Sequence, residues 1–432
     1  MANRDIRFAT FNVSLNRSEL GELITDLSTP DNQQAQNVAE IIQRKDPDVV
    51  LLNEFDYDPD AEGIRLFQEN YLSVSQNGVD PVEYPYVYSA PSNTGIPSGF
   101  DLDNDGSIDG PGDAFGFGFY AGQFGMVLLS KYPIVEEDVR TFQNFLWKDM
   151  PGALLPDDPT TSEPNDYYSE EELEVFRLSS KSHWDIPIEI DGEIVHILAS
   201  HPTPPVFDGE EDRNGRRNHD EIRFWADYIT PGEGSYIYDD EGNFGGLAKG
   251  ESFVIAGDLN ADPFDGDSFD RAILQLLDNP LVNTSKTPDS EGGVAASIRQ
   301  GGVNDTHEGN PAFDTADFDD DSGNLRVDYV LPSQVLEITN AEVFWTTPED
   351  PLFRLIGDFD PDLQPNGFPA SDHRIVFADV QLPEADMEET SDRKITNLDS
   401  IDEVGVISGL AYDAVNNVYY ALSDDRSTIN DA

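Results

Sequence analysis

Apolar positions along this chain fall into two periodicities. The stretches "IRFATFNV" (6–13) and "PDVVLLNEF" (47–55) are strand-length apolar runs, and "NQQAQNVAEIIQRKD" (32–46) between them carries Ala35, Val38, Ala39 and Ile42 at helical spacing. That order predicts a β–α–β opening. Further strands are predicted at "GMVLLS" (125–130), "DIPIEI" (185–190), "EIVHILASH" (193–201), "FVIAG" (253–257), "RVDYVLPS" (326–333), "AEVFWTT" (341–347) and "HRIVFADV" (373–380). Asp191-Gly192 is a two-residue hairpin signal between two of them. Helices are predicted around 219–229 and near 268–277. This mixture points to an α/β architecture with two sheets packed face to face and helices outside.

The stretch "FVIAGDLNADP" (253–263) raises the chemical question, because its apolar run stops at Asp258 and Asn260. Strand side chains alternate faces with a period of two, so both polar groups are expected on one side, at a sheet rim. Gly257 permits close backbone approach, and Pro263 blocks continuation of the ladder. The plain structural alternative is a polar strand end followed by an Asx-type turn. Other strands break in the same way, however. Asn12 stands near the end of the first, Glu54 near the end of the second and His201 after "HILAS"; Asp328 lies inside "RVDYV", and Asp372-His373 open the last. Each alone is an ordinary turn former or strand-end acid. Acids, amides and histidines at six strand ends of an α/β sheet together predict one convergent site.

Composition narrows the chemistry. The 432 residues, 38% of them apolar, suffice for one large α/β domain and something smaller. With 25 basic against 86 acidic residues the formal charge is −61, so the chain repels itself and gains from salt screening and bound cations. Such a surface argues against unspecific nucleic-acid binding, whose affinity comes mostly from Lys and Arg on phosphates. There is no cysteine, which excludes disulfides, thiolate metal sites and a cysteine nucleophile. No segment has the length and apolarity of a membrane span, and a strand starts almost at once, so no signal peptide is expected within this chain. A monomer is expected.

Taken in order, Asn12 in "FATFNV", Glu54 in "VVLLNEFD", His201 in "ILASHP", Asp258 and Asn260 in "GDLNADP", Asp328 in "RVDYVLPS" and Asp372 and His373 in "SDHRIVFADV" resemble the motifs of the endonuclease/exonuclease/phosphatase superfamily, the deoxyribonuclease-like fold. The resemblance spans about residues 5–382. It implies a four-layer α/β/β/α sandwich with two central mixed sheets and metal-dependent hydrolysis of a phosphate ester. It further implies that Asn12, Glu54 and Asp372 hold Mg²⁺ or Mn²⁺, that Asp258 orients or deprotonates the attacking water and that Asn260 fixes it. His373, paired with Asp328, and His201 are implied as donors to the phosphoryl group. The chain departs from the family at Asn53, where Gln is commoner, and at Pro202, where an aliphatic residue is usual.

Three further features stand outside that pattern. "EDRNGRRNHDEIR" (211–223) gathers Arg213, Arg216, Arg217, Arg223 and His219 in a chain poor in positive charge. The arginines are read as a clamp for substrate phosphate, with neutralisation of neighbouring acids as the alternative. "DLDNDGSID" (101–109) spaces Asp101, Asp103, Asp105 and Asp109 around Gly106 as calcium loops do, within an acidic insertion near 83–122. Gly112 stands where a helix-loop-helix site would carry Glu. "FDTADFDDDSGN" (313–324) lacks that spacing and reads as a solvated loop. After a domain over 1–382 and a polar linker over 383–394, residues 395–432 resemble the opening of an esterase-like phytase domain, a β-propeller type, with a hairpin signal at Asn416-Asn417. The functional expectation is an extracellular phosphoesterase acting on a mono- or diester and serving phosphate scavenging. A secreted nuclease and a catalytically idle, calcium-stabilised binding module are the alternatives.

Overall fold

The computed structural model describes residues 5–383, 407–413 and 418–423. The strands are β1 (Ile6–Leu15), β2 (Val49–Phe55), β3 (Tyr86–Tyr88), β4 (Met126–Ser130), β5 (Arg140–Thr141), β6 (His183–Ile190) and β7 (Glu193–Ser200). They continue with β8 (Ser252–Asp258), β9 (Ala316–Asp317), β10 (Asn324–Leu325), β11 (Asp328–Pro332), β12 (Glu337–Val343) and β13 (Val376–Gln381). One sheet has the order β12-β13-β1-β2-β4-β3 and the other β11-β8-β7-β6-β5. Both are mixed: β1 runs parallel to β2 and β7 parallel to β8, while the other pairs are antiparallel.

Alternation along the strands explains why the sheets stack. In β8, Val254 and Ala256 join the core between the sheets, whereas Phe253 and Ile255 face the opposite way. Val330 against Tyr329 and Leu331 repeats this in β11. The outward set meets Ile222, Phe224, Trp225 and Tyr228 of the helix Arg213–Ile229. On the other side the helix Gln33–Lys45 buries Ala35, Val38, Ala39 and Ile42. A strand buried on both faces must be apolar throughout, which is why these runs lack a polar stripe. The architecture is the four-layer α/β/β/α sandwich.

Some element expectations needed correction. The strand expected over 341–347 is β12, which ends at Val343. Trp345 leaves the ladder and its carbonyl accepts from Gly292 N at 3.1 Å, holding the start of the helix Glu291–Gln300. The helix expected near 268–277 is broken by Asp270 at φ 47° into two short turns. The segment 313–324 is not a solvated loop: Asp314, Thr315 and Ala316 are buried, and β9 and β10 form a small hairpin within it. Residues Ile407–Asp413 and Val418–Ser423 pair antiparallel, as the hairpin signal requires, within a second compact unit. The linker and the rest of the phytase-like segment lie outside the described residues.

Asp314 is the least favourable of the buried acids. It is 7% exposed and makes no hydrogen bond or ion pair among the described residues, and burial together with the facing charges of Asp262 and Asp265 pushes its carboxyl up to about 8. The folded state therefore keeps a proton that the unfolded chain releases, and stability falls as pH rises from about 4 to about 8. Asp314→Asn keeps the shape and removes the charge. Its melting temperature should exceed the parent's by a few degrees at pH 8 and match it near pH 4. Thermal scans across that range check this, and a pH-independent difference would contradict it.

Candidate active site

Strand register brings the polar strand ends to one edge. Asp258, the last residue of β8, lies opposite Asp328, the first of β11. Asn12 in β1 lies opposite Asn53 in β2, with Glu54 one residue on. Because Thr10 pairs with Val376, Asp372 and His373 arrive at that same edge just before β13. Close packing of β7 on β8 helps: a Cβ at Gly257 would lie 2.0 Å from the Ser200 carbonyl oxygen, so no other residue fits there without displacing backbone.

Asp258 is the hub. Its Oδ2 lies 3.1 Å from Asn12 Nδ2, 3.3 Å from His201 Nε2 and 3.7 Å from His373 Nε2. Its Oδ1 accepts the Asn260 backbone N–H at 3.1 Å. Burial alone would raise this carboxyl, but the charge of His373, then the charge that His201 takes on in acid, and the bonds from His201 and Asn12 hold it well below the usual carboxylate range. Asn260 does not continue the strand. At φ 52° it turns away and donates its side-chain amide to the Pro202 carbonyl at 3.1 Å. The expectation of two groups projecting together from an extended strand is thus corrected to an Asx turn, which still sets both side chains at the rim.

The two histidines differ in charge. His373 Nδ1 donates to Asp328 Oδ2 at 2.9 Å; burial opposes its charge, but Asp328 and Asp258 outweigh burial and hold the ring protonated well above the ordinary histidine value. Burial pushes Asp328 up to about 6, His373 opposing and Asp258 adding to the rise, and Thr315 Oγ1 donates to it at 2.8 Å. His201 is pushed down to about 4 by burial, then by the facing ammonium of Lys181. It is therefore neutral near pH 7, its Nε2–H donating to Asp258 and its buried Nδ1 without a partner among the described residues.

Glu54 and Asp372 face each other beside this hub. Burial, then the charge of Asp372, pushes Glu54 up to about 7. Asn12 and Asn16 hydrogen-bond Glu54, the latter at 2.9 Å, and Ser14 Oγ donates to Asp372 at 3.0 Å. Two facing carboxylates and an amide offer hard oxygen donors, and a divalent cation such as Mg²⁺ would relieve the repulsion between the carboxylates, so these residues fit one. The family departures have structural uses: Asn53 Oδ1 accepts from Thr10 Oγ1 at 3.2 Å and from Asp258 N at 3.3 Å, joining the sheets, and Pro202 supplies the carbonyl that holds Asn260.

Lys181 was missed by the motif reading. It is buried, and its charge faces Glu221, Glu54 and Asp258 against a burial effect that lowers its pKa. Its sequence signal, a lone lysine in "SSKSHW" before a strand, is weak. The arginines of 211–223, read as a clamp, each have a partner within the chain. Arg217 is buried and donates to the Leu178 carbonyl at 2.8 Å, Arg213 pairs with Glu211, Arg223 with Asp227 at 3.1 Å, and Arg216 stacks 5.1 Å over Phe269. His219 lies 3.1 Å from Asp220. Arg213 and Arg223 thus pair with neighbouring acids, whereas Arg217 and Arg216 meet a backbone carbonyl and an aromatic face. In the acidic loop, oxygens of Asp101, Asp103 and Asp105 lie within 4.8 Å of one another, and Asp109 is not among them. Instead Asp113, buried next to Asp103, accepts from Leu102 N at 2.9 Å and Gly110 N at 3.0 Å and closes the loop.

A family model described as Endonuclease/Exonuclease/phosphatase family matches residues 9–373. No protein of curated function matches the chain. Among solved structures, an endonuclease/exonuclease/phosphatase from Beutenbergia cavernae DSM 12333 is 17% identical, with 88% of this chain and 72% of that chain covered at a TM-score of 0.47. A protein of the same family from Leptotrichia buccalis C-1013-b is 13% identical over 87% of this chain and 100% of that chain, TM-score 0.44. A beta toxin variant from Staphylococcus aureus with bound magnesium ions is 17% identical over 87% and 99%, TM-score 0.42. The phytase-like reading of residues 395–432 gains no support from these comparisons.

Proposed function

Because this chain belongs to the endonuclease/exonuclease/phosphatase family, we propose that it hydrolyses phosphate mono- or diesters with the help of a divalent cation held by Asn12, Glu54 and Asp372. The observation that carries this reading is the convergence on Asp258 of His201, His373, Asn12 and Asn260, beside the facing Glu54 and Asp372. A bound cation would supply positive charge to the phosphate oxygens. Asp258, held ionised and therefore a weak base, orients the attacking water by accepting its hydrogen bond, and Asn260 fixes the water's other side. The His373 imidazolium, oriented by Asp328, donates its Nε2 proton toward the phosphoryl or leaving oxygen. Lys181 adds a fixed positive charge in a buried setting, where it acts strongly.

An extracellular setting and phosphate scavenging remain part of the proposal, as does a calcium ion on Asp101, Asp103 and Asp105 that braces the insertion. The acidic surface favours small esters over long duplex DNA. With Mg²⁺ present, a panel of nitrophenyl phosphate mono- and diesters, plasmid DNA and sphingomyelin should reveal turnover of at least one small ester; inactivity on all of them would overturn the proposal. For the loop, adding Ca²⁺ should raise the melting temperature by the mass-action effect, roughly 2.7 kcal/mol at a hundredfold excess over the dissociation constant. Replacing all three aspartates with asparagine should abolish that rise, and an undiminished rise would locate the ion elsewhere.

A further inference from the structure

A cavity of about 720 Å³ opens directly beside Asn260. Its walls carry Phe207, Phe264 and Phe318, the first two 86% and 52% exposed and the third in edge contact with the His373 ring at 5.4 Å. The polar residues around these rings are mostly acids, Asp262, Asp265, Asp267, Glu308, Asp319 and Asp321, with His307 the one basic ring in the lining. Asp262 accepts from the backbone N–H groups of Phe264, Asp265 and Arg326, and Asp265 from those of Glu308 and Gly309, all at 2.7–2.8 Å. Those bonds hold the loops in place and engage both oxygens of Asp262 and of Asp265, so the exposed Asp267, Glu308, Asp319 and Asp321 supply the negative charge at the cavity.

Resting on the phosphoesterase reading, we propose that this cavity is the subsite for the alcohol portion of the substrate, and that it selects a compact group bearing an organic cation such as an ammonium. Aromatic faces attract cations through the ring quadrupole, and Phe264 already receives one: the Arg271 guanidinium lies 5.9 Å over its ring. The surrounding carboxylates add to that attraction and repel a second phosphate. Phe318 ties the subsite to the chemistry because the same ring walls the cavity and touches His373. A group seated there lies next to the residues that hold the water and the proton donor.

Three nitrophenyl esters with one leaving group separate the possibilities: bis(4-nitrophenyl) phosphate, 4-nitrophenyl phosphorylcholine, and thymidine 5′-phosphate 3′-(4-nitrophenyl phosphate), which carries a second phosphate. At one ionic strength and with Mg²⁺, kcat/KM should be at least tenfold higher for the ammonium ester than for the bisphosphate. The variant Glu308→Gln/Asp319→Asn/Asp321→Asn should cut that ratio at least tenfold and leave bis(4-nitrophenyl) phosphate turnover within twofold of the parent. Parent preference for the bisphosphate, or a ratio unchanged in the variant, would overturn the subsite. Absence of turnover on every ester would instead overturn the phosphoesterase reading itself, and the subsite with it.

Discussion

Asp258→Asn should lower turnover by about 10²–10⁴, or roughly 3 to 5 kcal/mol of transition-state stabilisation, while leaving the protein folded. The substitution keeps size and the acceptor for Asn260 N–H. It removes the charge that His373 faces at 3.7 Å, and it replaces a pure acceptor with an amide that can present N–H to the water. The water loses its fixed orientation and the His373 ring loses part of what keeps it charged, since Asp258 is second to Asp328 among the charges raising it. The pH profile should report this, with activity falling at lower pH in the variant than in the parent as His373 deprotonates more easily. A turn-forming aspartate replaced by an equally good turn residue would change neither rate nor profile. Turnover and melting temperature measured side by side distinguish the two, and near-parental turnover would reduce Asp258 to a turn residue.

Glu54→Gln carries the second large effect, and its two readouts move in opposite directions. Burial and Asp372 push the Glu54 carboxyl up to about 7 from 4.5, so the folded state favours the protonated form and the ionised form costs stability. The sign follows: that cost is absent below about pH 4.5 and reaches up to about 3 kcal/mol above pH 7. Without added metal, Gln at this position should therefore raise the melting temperature near pH 8. With Mg²⁺ the parent should gain stability and the variant should not, and the variant's turnover should fall at least as far as that of Asp258→Asn. Scans with and without Mg²⁺ check this; a variant that is less stable than the parent in metal-free buffer and still gains from Mg²⁺ would remove Glu54 from the metal set.

The frame and most of the site were legible because both rest on local signals. Apolar runs of strand length mark strands whatever they pack against, and Asn12, Glu54, His201, Asp258, Asp328 and His373 interrupt such runs at their ends. What escaped depends on distant parts of the chain. The helix Glu291–Gln300 has the sequence EGGVAASIRQ, whose two glycines and few large apolar residues give no helical stripe; its capping comes from Ser290 and its position from Trp345. The stretch 313–324 looked solvated because it is acidic, yet Arg374 lies 3.4 Å from Asp317, and Thr315 bonds Asp328. Lys181 carries no periodic signal and reaches the site only when β6 is laid beside β7. The arginines of 211–223 show the converse: clustered charge in sequence dispersed to Glu211, Asp227, a backbone carbonyl and an aromatic face once the helix Arg213–Ile229 packed.

The central claim is that strand ends from both sheets build one cation-dependent centre for phosphate-ester hydrolysis, and the metal dependence of bis(4-nitrophenyl) phosphate turnover by the parent chain tests it most directly. After exhaustive chelation turnover should fall to background, and graded addition of Mg²⁺ or Mn²⁺ should restore it along a saturating curve. Undiminished turnover in the chelated protein, or none at any metal concentration, would contradict the account.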